Sequence, residues 1–182
     1  MADLNGYPPP GFRRAEDGIV EPPAGTKVPI EILRAGLPHL DELTELFEAY
    51  RRFYREPPEP AAAREFLSER LRRGESVVFL ARQVRRAVGF VQLYPTFSSN
   101  RLGRIWILND LFVVPERRGQ GIGSRLLGRS KELAEESGAL GLILETAVNN
   151  PAQRLYEAHG WKLDREFLHY EWQRPVGPRR AT

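Results

Sequence analysis

The segment "VVPERRGQGIGSRLL", Val113 to Leu127, sets three glycines at alternate positions, Gly119, Gly121 and Gly123, between an apolar run and a helical one. Few chains need that pattern. A helix N-terminus presents unpaired backbone N–H groups and the positive end of the helix dipole. Removing side chains there lets an anion reach the backbone itself. The spacing therefore predicts a nest for a polyphosphate, running from Arg117 and Arg118 through Gly119, Gln120, Gly121, Ile122 and Gly123 to Ser124. The two arginines add charge at its mouth. It is not the nucleotide P-loop, which needs Gly-Lys-Ser/Thr after four residues. It is not the dinucleotide fingerprint either: counted from Gly119 the last glycine would be Ser124, and from Gly121 it would be Leu126. The other reading of the same residues is a tight strand-to-helix turn with close packing.

The elements around this turn alternate. Val28–Ala35 reads as a strand, followed by a helix with Leu40, Leu43, Phe47, Tyr50 and Tyr54 on one face. "EPPEP" breaks that helix, and "AAAREFLSERLRR" forms a second. "SVVFLARQ" and "RAVGFVQLYP" read as a hairpin. Arg104–Val114 is a long apolar strand with a polar pair, Asn109 and Asp110, at its centre. After the glycines, Ile122, Leu126, Leu127, Leu133 and Ala134 share a helical stripe. "LGLILETAV" reads as a buried strand, "PAQRLYEAHG" as a short helix with Pro151 at its start, and "WKLDREFLHYEWQ" as closing strands. The order predicts an α/β fold with a mixed sheet of about seven strands. Residues 1–27, rich in Pro and Gly, read as an irregular arm, residues 28–173 as one domain, and residues 174–182 as a basic tail.

Composition narrows the chemistry. The chain has no cysteine, which removes thiolate metal sites and any acyl relay through a Cys. Its three histidines are scattered, so no metal site is expected. A net charge of +3 favours anionic ligands but is too small to argue for nucleic acid. No apolar run approaches a membrane span, and the first residues lack a signal peptide's pattern, so a cytoplasmic protein is expected.

Arg118-x-x-Gly121-x-Gly123 after an apolar strand resembles the acetyl-CoA pyrophosphate loop of the GNAT superfamily of N-acetyltransferases. "NNPAQRLYEAHGW", Asn149 to Trp161, is similar to that superfamily's later segment, an Asn followed seven residues on by Tyr and then by Gly plus an aromatic. The resemblance covers about residues 28–173. "FVQLYPTFSS" and "WILNDLFVVPERRGQGIG" look closest to the branch holding polyamine-type and histone-type enzymes, although Asn109 stands where the polyamine pattern often carries Glu.

The resemblance implies acetyl-CoA as cosubstrate and helices on both faces of a twisted sheet with splayed central strands. It implies that the strand holding Asn109 and Asp110 is bulged and splays from the strand around Leu144. A backbone N–H near Leu111 would then hold the thioester carbonyl, and backbone groups at Phe112 and Val114, flanking Val113, would pair with pantetheine. Tyr156 is the expected general acid, because a phenol stays protonated at neutral pH and can return a proton to a thiolate. Asn149 is expected either to touch the cofactor or to cap a turn. Asp110 is preferred over Glu145 as general base. The acceptor pocket is expected to draw on Tyr50, Tyr54, Tyr94 and Phe97 as well as these acids, with Tyr50 more naturally a core residue. A small primary amine is the expected acceptor. The alternatives are a protein lysine or N-terminal amine, or a non-catalytic acyl-CoA-binding module. A homodimer is a further implication of the resemblance.

Overall fold

The computed structural model describes residues 13–14, 20–21 and 29–174. Val28, the rest of the N-terminal arm and residues 175–182 lie outside the described residues. Within the arm, Arg13–Arg14 and Val20–Glu21 pair as a short antiparallel ribbon.

The main sheet has five strands in chain order: β1 (Glu31–Arg34), β2 (Val77–Gln83), β3 (Arg86–Ser98), β4 (Gly103–Val113) and β5 (Leu142–Ile143). All neighbours are antiparallel except β4 and β5, which run parallel, so the sheet is mixed. Helices α1 (Leu40–Phe53) and α2 (Pro60–Arg73) cover one face. Helix α3 (Ile122–Glu136) covers the other, and the short α4 (Gln153–Ala158) follows β5. This is the α/β GNAT-type architecture that the motifs imply.

Each helix forms because its apolar residues repeat at helical spacing and its ends are marked. Helix α2 starts on Pro60 and stops at Gly74, whose φ of +63° closes it in the left-handed conformation. Buried Leu126, Leu127 and Leu133 of α3 pack on Phe79, Val91 and Leu93. The end of α3 is tied to β4 by Trp106, whose indole N–H donates to Ser137 Oγ at 2.9 Å. On the opposite face Leu43, Leu46 and Leu67 meet Val78, Leu80 and Phe90.

The register of β3 against β4 carries the fold's consequence for function. Gln92 pairs with Asp110, but Leu93 pairs with Leu108, so Asn109 is an extra residue in β4. A one-residue bulge reverses which face later side chains take. Before it, Trp106 and Leu108 pack toward α3. After it, Leu111 and Val113 take that side, and Phe112 turns toward α1 and α2. Just before the bulge β4 also leaves β5, whose pairing ends at Ile107 with Ile143. The central strands are therefore bulged and splayed.

Two expectations are corrected. Of "LGLILETAV" only Leu142 and Ile143 form a strand, and Ile143 is half exposed, because pairing ends where β4 bulges away. Residues 161–173 form no strand at all; Leu163, Phe167, Leu168, Tyr170 and Trp172 are 74–84% exposed. The described sheet thus has five strands rather than about seven.

Candidate active site

The splay opens a cavity of about 840 Å³. Its walls come from the C-terminal end of α1, the bulged half of β4, the glycine loop, the first turn of α3, Glu145 and Thr146 after β5, and the start of α4.

At the loop end, Gly119 and Gly121 have φ of +75° and +80°, a conformation that side-chain-bearing residues avoid. A Cβ built on either would meet no atom within 4 Å. Glycine there serves the backbone turn and leaves open space above it, which is what an approaching anion requires. Gly123 differs: a Cβ there would come within 3.0 Å of Leu155 Cδ2, so this glycine serves helix packing. The loop glycines thus differ in kind: open space lies above Gly119 and Gly121, and a packed neighbour lies beside Gly123. Gly121 caps α3 without any side-chain cap, leaving the first-turn N–H groups for another acceptor. Arg118 lies across the mouth, with Nε donating to the Val113 carbonyl at 3.0 Å and its guanidinium over the rings of Phe53 and Phe112. This cradle fits a diphosphate.

At the other end, Tyr156 is half-buried and its hydroxyl lies beside the Thr146 side chain. Asn150 Nδ2 donates to Thr146 Oγ1 at 2.8 Å. With that lone pair used, the Thr146 O–H can donate to the Tyr156 oxygen, leaving the Tyr156 proton for the cavity. Burial, reinforced by Tyr54, raises the Tyr156 pKa above the ordinary phenol value, and Thr146 offsets this only in part. The group stays protonated at neutral pH. Asn150 Oδ1 also accepts the Ala152 N–H at 2.9 Å, fixing the turn that delivers α4.

Tyr50, Phe53 and Tyr54 line the α1 side of the cavity. Tyr50 rests its ring on Phe90 and Phe112, at 5.8 and 6.2 Å between centroids, and its hydroxyl lies beside Asp110. Tyr54 packs edge-on against Tyr50 at 5.0 Å.

The comparisons with known proteins come down on the same chemistry. The model of the Acetyltransferase (GNAT) family matches residues 43–161. This chain is a GNAT-family acetyltransferase. It is 46% identical over 129 residues to an uncharacterized N-acetyltransferase, YhfO, of Bacillus subtilis strain 168, a match covering 70% of this chain and 87% of that protein. A probable acetyltransferase of Haemophilus influenzae is 32% identical over 136 residues, covering 74% of this chain and 92% of its own length. A crystal structure of a probable acetyltransferase superposes with a TM-score of 0.75 at 44% identity, covering 81% of this chain and 99% of that one. The acetyltransferase uses acetyl-CoA as its cosubstrate. Among the described residues no cluster of His, Asp and Glu suited to a metal ion occurs, and no helix is long and apolar enough to cross a membrane.

Most residues that the sequence singles out for this GNAT enzyme come together in the cavity. Leu111, Phe112, Val113, Arg117, Arg118, Gly119, Gly121, Ile122, Gly123, Ser124, Tyr54, Glu145 and Tyr156 all line it. Gln120 does not; its side-chain oxygen accepts from Gln83 Nε2 at 3.3 Å. Asn149 is exposed outside the lining, and Asn150 does the work of the turn. The expected pantetheine partners need correction. The Val114 N–H donates to Val88 O at 3.0 Å, so it points at β3. By strand alternation Phe112 shares that direction, and the backbone groups facing the open edge belong to Leu111 and Val113.

The acceptor wall also changes. Tyr94 lies off the cavity, its hydroxyl accepting from Gln92 Nε2 at 2.9 Å, and Phe97 is exposed beneath Arg104. Asp110 is only 4% exposed and is not part of the lining; the bulge turns it under Tyr50. Glu145 reaches the cavity from an exposed position and pairs with His169 Nδ1 at 3.0 Å. Phe53 and Thr146 enter the site although sequence reasoning gave them no role in it, and Tyr50, expected either in the acceptor wall or more naturally in the core, lines the cavity as well. Thr146 carried no signal. Tyr50 had one, its place one helical turn before Tyr54.

Proposed function

We propose that this acetyltransferase moves the acetyl group of acetyl-CoA directly to a small primary amine. The observation that carries this reading is the sharing of one cavity by the glycine nest, the Tyr156 hydroxyl and the Tyr50–Tyr54 aromatic wall. The loop from Arg117 to Ser124 binds the diphosphate through backbone N–H groups and two guanidinium groups. The open-edge N–H of Leu111 holds the thioester carbonyl and the Val113 edge aligns the pantetheine arm. Tyr156 returns a proton to the departing sulfur. The faces of Tyr50, Phe53 and Tyr54 attract an alkylammonium head before it loses its proton. Asp110 is the general base, and Glu145 binds the acceptor at the outer rim. "FVQLYPTFSS" and the β4 segment support the branch of polyamine-type and histone-type enzymes, while Asn109 counts against a polyamine as the acceptor.

The same reading makes the enzyme a homodimer. Leu168, Tyr170 and Trp172 alternate along an exposed segment, the pattern of a strand side that buries against a partner. A second copy supplies such a surface.

Thiol release from acetyl-CoA, measured across alkylamines, polyamines and lysine peptides, tests the acceptor. Turnover of a free alkylamine well above the amine-free rate is expected. Turnover of peptides alone would overturn the small-amine reading.

A further inference from the structure

Asp110 is too deep to meet an acceptor, yet its surroundings are not those of a structural plug. It is 4% exposed on the α1 side of the sheet and outside the cavity lining, while two residues beside it, Tyr50 and Asn109, both line the cavity. Asn109 Nδ2 donates to both of its oxygens at 3.2 Å. Its cross-strand partner is Gln92, fully buried. Directly opposed side chains start from Cβ atoms about 4.5–5.5 Å apart. The Gln92 amide is half used: Nε2 donates to Ser76 Oγ at 3.1 Å and to Tyr94 Oη at 2.9 Å, while Oε1 is buried with no hydrogen-bond partner. A buried acceptor left unpaired costs about 1–3 kcal/mol. A carboxylate has no proton to offer it; a protonated Asp110 does. The site thus holds a waiting partner for the protonated state.

Resting on the small-amine reading, we propose that Tyr50 relays the acceptor's proton to Asp110, and that Gln92 receives the hydrogen bond of the protonated acid. The ammonium group gives one proton to the Tyr50 oxygen as Tyr50 passes its own to the Asp110 carboxylate. The freed nitrogen lone pair forms the C–N bond as the C–S bond breaks. Tyr156 protonates the leaving thiolate and recovers the second proton lost by nitrogen. Asp110 then returns its proton to solvent by the same path, so the cycle releases one proton per acetyl group moved.

The groups facing this pair are few. Tyr50 comes from α1, Gln92 and Tyr94 from β3, and Asn109 from β4. Arg70 and Glu75 act on Tyr94 from the α2 end, Tyr54 acts on Tyr50 from the end of the same helix, and Tyr156 acts on it from across the cavity. Burial raises the Asp110 pKa, opposed by Tyr50 and Asn109. Burial, then Asp110, pushes Tyr94 up to about 12 and Tyr50 higher, so both phenols remain neutral across the working range.

The test uses Tyr50→Phe in the full chain, which keeps the ring against Phe90 and Phe112. First, the Asp110 carboxyl is titrated by 13C NMR, with Asp110→Asn to assign the signal. Loss of the Tyr50 donor should raise its pKa, and an unchanged titration would overturn the proposal. Second, acetyl transfer is measured to butylamine, an ammonium at neutral pH, and to trifluoroethylamine, largely neutral there. The variant should lose about 100-fold or more in kcat/KM with butylamine, the scale of general-base catalysis. Much less should be lost with trifluoroethylamine. Equal losses with both amines would mean that Tyr50 only shapes the pocket. If the wild-type enzyme acetylated neither amine, the small-amine reading would fail, and the titration would still decide the hydrogen bond on which the relay depends.

Discussion

At the scale of single residues, Tyr156 separates chemistry from binding. Phe keeps the ring, which packs near Trp161 at 6.2 Å, and removes only the hydroxyl beside Thr146. Tyr156→Phe should lower kcat about 10- to 1,000-fold, overlapping the range of general acid catalysis, with little change in acetyl-CoA affinity. Single-turnover rates check this, and the defect should shrink with a thioester whose thiol is more acidic. Asp110 makes a different prediction. Its folded pKa is raised above its unfolded value of 3.8, so the folded state binds the extra proton. Its contribution to stability is therefore fully present below the unfolded pKa and is lost as pH rises through the folded one. Asp110→Asn removes that dependence. Thermal melts should show the variant gaining on the wild type as pH rises from 3.8 upward; a difference independent of pH would show that burial does not control this acid.

At the scale of elements, the turn from β4 into α3 was legible and the bulge only partly so. Alternate glycines before an amphipathic run give a bare helix N-terminus because only glycine relieves the backbone at φ near +80°. Gly121→Ala should therefore cost stability, about 1–2 kcal/mol from left-handed strain. Gly121→Asp adds a negative charge in the nest. Calorimetry should show a steep loss of acetyl-CoA affinity in a folded Gly121→Asp protein; unchanged affinity would contradict the loop's role. The Asn109–Asp110 pair was visible as a polar break in an apolar strand. Which face Asp110 takes was not, because period-two reading puts it beside Trp106 and Leu108, and one inserted residue reverses that. Tyr50 was hard to place for a related reason: helical periodicity sends its ring to the core and says nothing of its hydroxyl. The alternation of Leu168, Tyr170 and Trp172 reads as a strand, but a strand needs an edge to pair with, and edges are not encoded locally.

At the scale of the whole molecule, the sheet is held between two apolar layers. The N-terminal anchor that matters is Ile30, whose carbonyl accepts from Arg125 Nη1 at 3.0 Å and whose side chain packs on the α3-side core. A chain starting at Thr26 keeps that anchor. It should fold with cooperative melting and bind acetyl-CoA, and an insoluble or cofactor-free product would give the arm a structural role. For the proposed dimer, sedimentation should show two copies for the full chain and one after Trp172→Lys, with α-helical circular dichroism retained.

The central claim is that one cavity holds acetyl-CoA and the amine together, so that transfer is direct. The chain has no cysteine to carry the acetyl group, and the nest, Tyr156 and the aromatic wall face one space. Initial rates measured against both substrates decide it. Double-reciprocal lines for acetyl-CoA at several amine concentrations should intersect, as they do when both substrates must be bound before product leaves. Parallel lines, together with labelled acetyl retained on the protein in the absence of amine, are the fingerprint of a covalent relay and would contradict the account.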